Sequence, residues 1–158
     1  MNKLKRKGIL LAGGKATRLY PLTTCVSKHL LPIYNKPVIY YSLSLLMIAG
    51  IKDILIITSY DYLEAYTILL GNGSKFEIHI DYVIQNKPNG LPEAYILAEH
   101  WLEDCPSCMV LGDNILYGND LSLILHKCNT TTDSTILACY NKTPERYGVI
   151  ELSNTGEI

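Results

Sequence analysis

A short apolar run that breaks into paired glycines constrains this chain more than any other feature. Gly8-Ile9-Leu10-Leu11-Ala12 reads as a buried strand, and Gly13-Gly14-Lys15-Ala16-Thr17-Arg18 reads as the loop that leaves it. Glycine allows the backbone to approach a phosphate closely and to turn its N–H groups inward; Arg18 and Lys28, just beyond, supply neutralising charge. The loop matches neither of the two commonest phosphate signatures. It lacks the three-glycine dinucleotide pattern, and its Gly14-Lys15 precedes Ala16 with no glycine at the earlier P-loop position. On these residues alone, an anion site and a plain strand–turn both remain open.

The 158 residues amount to one domain, long enough to bury a proper core. With 18% charged residues and a formal net charge of -1, the chain has no basic excess to attract nucleic acid. The basic start Met1 to Lys7 precedes an apolar run, Ile9 to Ala12, too short for a signal peptide, and no segment approaches a membrane span. A soluble cytoplasmic domain is expected. The odd count of 5 cysteines suggests free thiols. Cys105-Pro-Ser-Cys108 has metal-site spacing but no second well-spaced pair, and His29, His79, His100 and His126 show no metal spacing.

Strand-like and helix-like segments alternate. Ile9–Ala12 is a strand; Pro37 to Ala49 is a helix stopped by Gly50; Asp53–Thr58 is a continuous buried strand. Asp61 is expected to cap a helix running to Leu70, with Glu64 in the capping-box position and Gly71 as its stop. Residues 77–84 alternate as a strand, Pro92 to Leu102 is an amphipathic helix, and Cys108–Gly112 is another strand. A short helix, Leu121–His126, follows a possible cap at Asp120; Ser134–Tyr140 and Tyr147–Leu152 are expected to be strands. This order predicts a doubly wound α/β domain with a mostly parallel sheet over residues 1–158. Tyr40, Tyr41, Tyr60, Tyr62 and Tyr66 read as packing residues. The turn Ser153-Asn-Thr-Gly156 leaves only Glu157 and Ile158 for a return strand, so the chain looks like the front part of something longer.

In open α/β sheets, ligands sit beyond the carboxyl ends of the strands. Gly13–Arg18 and Gly112-Asp113-Asn114 both leave strands there, so two distant stretches converge on one crevice. The whole run Gly8 to Thr23, followed by Ser27-Lys28-His29-Leu30-Leu31-Pro32, resembles the signature of the sugar-phosphate nucleotidyltransferases, with a Rossmann-like nucleotidyltransferase fold. Within that family the likeness is greatest to the glucose-1-phosphate thymidylyltransferases, and it covers essentially this whole chain but only the N-terminal, nucleotide-binding portion of the family's usual length.

The resemblance implies a nucleoside triphosphate wrapped by Leu11, Gly13, Gly14, Ala16, Thr17, Arg18, Lys28 and His29. Gln85 and Gly90 would read the pyrimidine edge, and Asn114, Tyr147 and Gly148 would face the sugar. Arg18, Lys28 and Asp113 would be the catalytic residues, with Mg²⁺ on Asp113. The implied reaction joins dTTP and glucose 1-phosphate into dTDP-glucose and pyrophosphate, in a homo-oligomer that binds neither nucleic acid nor membrane. A UTP- or CTP-using relative, or an inactive nucleotide-binding fragment, is the alternative. The family's partner carboxylate and a sugar-binding segment fall beyond residue 158, so little pyrophosphate release is expected from these residues alone. Three departures stand out: Ala16 replaces a usual glycine, His29 a usual glutamine, and Pro92-Glu93 a usual Ala-Gln.

Overall fold

The computed structural model describes residues 5–14, 16–87 and 89–153, apart from the Arg146 side chain. In chain order its main elements are β1 (Lys7–Leu11), β2 (Pro32–Ile33), β3 (Lys36–Pro37), α1 (Val38–Ile48), β4 (Asp53–Thr58) and α2 (Tyr60–Leu70). They continue with β5 (His79–Ile84), α3 (Leu91–Leu102), β6 (Ser107–Leu111) and α4 (Leu121–Thr130).

Four strands form one parallel sheet in the order β5-β4-β1-β6; β2 and β3 make a small antiparallel ladder of their own. Successive side chains of a strand point to opposite faces, and here both faces are covered. Leu10, Ile54, Ile56 and Ile80 pack with Ile39, Leu43 and Leu46 of α1, Tyr66 and Leu70 of α2, and Leu125 of α4. On the opposite face Ile9, Leu55 and Ile57 pack against Ala94 and Ala98 of α3. The unbroken aliphatic run of β4 follows from this, since it has no solvent face to accommodate a polar residue.

From β1 the chain steps outward through β4 to β5, then returns by α3 to the far side of β1. The strand order therefore reverses between β1 and β6, and the crevice at their carboxyl ends is where such sheets hold ligands. Leu11 is in register with Leu111, and the Gly112 amide donates to the Leu11 carbonyl at 2.7 Å, so the two loops leave the sheet side by side. A Cβ on Gly112 would lie 2.7 Å from that carbonyl and 2.8 Å from His29 Cδ2, which is why glycine stands there.

Several expectations need correction. Ser134–Tyr140 and Tyr147–Leu152 are not strands: both are irregular and almost wholly exposed, with no ladder to a neighbouring strand among the described residues. Strand-forming composition does not make a strand without a partner for its backbone groups. Asp61 does not cap α2; the helix begins one residue earlier, with Ser59 as the extended N-cap residue and Asp61 inside the first turn. There its charge still suits the positive helix end. Asp120 precedes α4 in a left-handed conformation (φ 59°) without a side-chain cap. The helix runs on past His126 to Thr130 because tertiary contacts extend it: Leu125 joins the core and Asn129 Nδ2 donates to the Ala49 carbonyl at 2.7 Å. Residues 154–156 of the expected terminal turn, with Glu157 and Ile158, lie outside the described residues.

Candidate active site

At the switch point the two loops enclose a cleft of about 430 Å³ lined by Ala16, Thr17, Arg18, Leu19, Lys28 and Asp113. Arg18 sits on an exposed single turn of 3-10 helix, Thr17–Leu19, at its rim. Lys28 Nζ donates to Asp113 Oδ2 at 2.6 Å across the cleft, joining residues 85 positions apart. Burial pushes the Asp113 carboxyl up, but the hydrogen bond and charge of Lys28 outweigh it and hold the group below the usual carboxylate range. Both side chains are partly open to solvent (27% and 44%), so the pair contributes about 0.2–1 kcal/mol to the fold.

The turn that carries Arg18 is fixed from behind. The Ala16 carbonyl accepts from the Leu19 amide and from Thr23 Oγ1, both at 3.0 Å. Ala16 itself is left-handed, with φ 44° and ψ 44°, a conformation that costs an L-residue about 1–2 kcal/mol. A glycine at this position would meet no such cost.

Lys28 is aimed by a buried polar network that sequence reasoning did not anticipate. The segment Lys28–Leu30 is a 3-10 turn, and His29, Ser27 and Tyr66 meet beneath it. Ser27 Oγ lies 2.7 Å from Tyr66 Oη and 3.0 Å from His29 Nδ1; Tyr66 Oη donates to the Ala12 carbonyl at 3.2 Å. The end of β1, the lysine turn and α2 are thus tied together in the interior. Burial, then the neighbouring Lys28 charge, lowers the His29 pKa to about 4, so its ring is neutral at pH 7. The Tyr66 hydroxyl is raised by burial and stays protonated. Only 1% exposed, His29 supports the loop and does not line the cleft. On the other side, Ser42 Oγ of α1 donates to the Asn114 carbonyl at 3.0 Å and steadies the turn bearing Asp113.

Gln85 follows β5 directly, beside the first loop: a Cβ on Gly13 would lie 3.1 Å from its Oε1. Its Nε2 donates to Glu93 Oε2 in the first turn of α3. The Glu93 carboxylate also accepts from the Asn89 backbone amide at 3.1 Å and from Asn89 Nδ2 at 3.0 Å. Those bonds, the Asn89 amide foremost, hold the Glu93 pKa below the ordinary range. Gly90, at φ 100°, allows the chain to enter α3 here; Pro88 lies outside the described residues. A carboxylate three residues past Gly90, facing a glutamine at a strand end, is the signal for this cluster.

The structure brings Ala16, Thr17, Arg18, Lys28 and Asp113 to the cleft, with Gln85 Oε1 beside Gly13; Leu11, Gly13 and Gly14 do not line it, and Asn114 lines the neighbouring cavity instead. It does not bring Tyr147 or Gly148 to the cleft: Tyr147 follows the Pro144–Arg146 turn in the exposed irregular segment. Among the described residues no group of three or more His, Cys, Asp or Glu side chains is arranged to hold a metal ion. Cys25, Cys105, Cys108, Cys128 and Cys139 are all free thiols. Among the described residues no helix is long and apolar enough to cross a membrane.

A parallel sheet with a cleft at its switch point defines a doubly wound α/β class of protein. The chain belongs to the nucleotidyl transferase family, which it matches over residues 7–158. It is 49% identical over 148 residues to a glucose-1-phosphate thymidylyltransferase of Neisseria meningitidis serogroup A, covering 93% of this chain and 51% of that protein. It is 46% identical over 155 residues to the one from Xanthomonas campestris pv. campestris (strain B100), covering 98% of this chain and 52% of that protein. A Bacillus anthracis structure described under the same enzyme name, solved in complex with a sucrose, superposes with a TM-score of 0.84 at 34% identity, covering 94% of this chain and 61% of that one. The chain thus spans about half the length of the curated relatives it matches.

Proposed function

We propose that this chain binds a pyrimidine nucleoside triphosphate, dTTP foremost, for transfer of its nucleotidyl group to glucose 1-phosphate. The reading is carried by one observation: Arg18, Lys28 and Asp113 line one cleft at the switch point of the sheet, with Lys28 bonded to Asp113. The relatives' names favour dTTP and glucose 1-phosphate over other substrates.

In this reaction an oxygen of the sugar phosphate attacks the α-phosphorus in line. A new P–O bond forms, the α–β bridging P–O bond breaks, and pyrophosphate leaves with the electron pair. The attacking phosphate is already ionised, so the chain need supply no general base. Its residues orient the triphosphate and neutralise charge: Arg18 and Lys28 on the phosphates, and the Gly13 and Gly14 backbone beneath them. Asp113, held ionised, is a hard oxygen donor next to that cleft and fits Mg²⁺, which takes few carboxylates together with phosphate oxygens. The metal would supply further charge neutralisation on the phosphates. Asn114, Tyr147 and Gly148 are assigned to the sugar side on resemblance alone. Five free thiols and soluble phosphorylated substrates suit the cytoplasm, and the expected homo-oligomer is checked by sedimentation.

Calorimetric titration with dTTP, UTP, CTP, ATP and GTP in Mg²⁺ tests the reading. A pyrimidine nucleotide is expected to bind tightest, with dTTP first; a purine in first place would overturn the base assignment.

A further inference from the structure

The polar contacts beneath the lysine turn can be assigned hydrogen by hydrogen. Ser27 Oγ lies 2.7 Å from Tyr66 Oη and 3.0 Å from His29 Nδ1. Tyr66 Oη lies 3.1 Å from the same nitrogen and 3.2 Å from the Ala12 carbonyl. Tyr66 is fully buried, and Ser27 and His29 are each 1% exposed, so bulk solvent supplies none of the hydrogens. Lone pairs that face each other at these distances with no hydrogen between them are costly in an interior. The Ala12 carbonyl brings no hydrogen, and the two hydroxyls bring one each. The third must come from the His29 ring, at Nδ1. That fixes the direction: Nδ1–H donates to Ser27 Oγ, Ser27 donates to Tyr66 Oη, and Tyr66 donates to the Ala12 carbonyl.

Lys28 stands between the two residues that open this chain of bonds, and Ala12, which closes it, directly precedes Gly13. Both ends are anchored: the Ala12 amide donates to the Ile57 carbonyl at 2.8 Å, and the Leu30 amide to the Ser27 carbonyl at 2.9 Å. We propose that Tyr66 is a positioning residue for the cleft: its hydroxyl joins the Ser27–His29 pair to Ala12, holds the Lys28 turn against the end of β1, and so sets where the lysine meets phosphate. This deepens the proposed function and rests on its assignment of Lys28 to the phosphates. Tyr66→Phe removes that one oxygen and keeps the ring in the core. The Ser27 hydroxyl then has Nδ1 as its nearest remaining acceptor, so the His29 hydrogen moves to Nε2.

The test combines calorimetric titration with inorganic tripolyphosphate and nitrogen NMR of the His29 ring, in which the two tautomers give distinct shifts. The parent is expected to carry its ring hydrogen on Nδ1, and Tyr66→Phe on Nε2. Tyr66→Phe should weaken tripolyphosphate binding about tenfold, the scale of one hydrogen bond. In a Lys28→Ala background the same change should cost less than about twofold, because the lysine it positions is gone. A parent that does not bind tripolyphosphate, or a Lys28→Ala variant that binds it as tightly, would overturn the assignment of Lys28 itself. With that assignment intact, unchanged affinity in Tyr66→Phe would overturn the role of Tyr66 alone. An equal loss with and without Lys28 would also overturn it, since Tyr66 would then act on general stability. A parent with its ring hydrogen on Nε2 would overturn the chain of bonds and the proposal with it. Should Tyr66→Phe fail to fold, Ser27→Ala breaks the middle link and carries the same affinity expectations.

Discussion

Lys28 and Asp113 meet at 2.6 Å across the mouth of the cleft, one from the turn before β2 and the other from the turn after β6. The lysine is thus held over the cleft by a carboxylate, the partner that the proposed function has it exchange for phosphate. Lys28→Ala and Arg18→Ala are each expected to weaken dTTP binding by about 1.5–3 kcal/mol, the worth of a charge-assisted contact. Melting temperature should stay close to that of the parent, because neither side chain is in the core. Titration calorimetry beside thermal unfolding reads both; unchanged affinity in both variants would make these cations ordinary solvated surface.

His29 gives the fold a pH dependence whose sign can be worked out. Its pKa is lowered from 6.5 to about 4, so the unfolded chain binds its proton more tightly than the native one. Stability is then fully present above about pH 6.5 and is lost progressively as pH falls towards 4. The full depression corresponds to about 3 kcal/mol as an upper bound. Urea unfolding at pH 7 and pH 4.5 should register this loss in the parent and a smaller one in His29→Gln. Parallel losses in the two proteins would contradict the assignment.

Ala16→Gly should stabilise the protein. The residue is left-handed at φ 44°, and the turn around it is held by bonds to its carbonyl that glycine keeps. Relief of strain, less the entropy glycine gains on unfolding, leaves up to about 1 kcal/mol, or about 2–4 °C in melting temperature. A lower melting temperature would mean that the left-handed backbone is not retained in solution.

Most of the fold was legible because β4 and β5, α1 and α3 announce themselves by period and by glycine or proline punctuation. Strand topology alone placed the Gly13–Arg18 loop and the Gly112-Asp113-Asn114 turn at one crevice, since loops after parallel strands lead there; Lys28 was added to them by resemblance. The contacts made at long range were not legible. Nothing local to Tyr66 says that its hydroxyl reaches the Ala12 carbonyl, and nothing local to Glu93 says that it will fix Gln85. The irregular path of 134–140 and 147–152 has a related reason: their apolar, β-branched composition predicts a strand, but a strand exists only where a neighbour supplies the ladder.

Gly112→Ala probes the closure of the switch point. The added methyl would come within 2.7 Å of the Leu11 carbonyl and 2.8 Å of His29, and the backbone side cannot yield cheaply. A loss of about 1–3 kcal/mol is expected from overpacking, measured by chemical denaturation. A neutral substitution would show that β1 and β6 separate more easily at their ends than the 2.7 Å bond between Gly112 and Leu11 implies.

The central claim is that the triphosphate sits between the loop after β1 and the turn after β6. Amide NMR shifts on addition of dTTP and Mg²⁺ test it most directly. The largest shifts are predicted at Gly13, Gly14, Ala16 to Arg18, and Gly112 to Asn114 together, with saturation moved at least tenfold higher in concentration by Lys28→Ala. Shifts confined to Met109, Leu125 and the 134–137 segment, which line a neighbouring cavity of about 670 Å³ that Asn114 also borders, would contradict it.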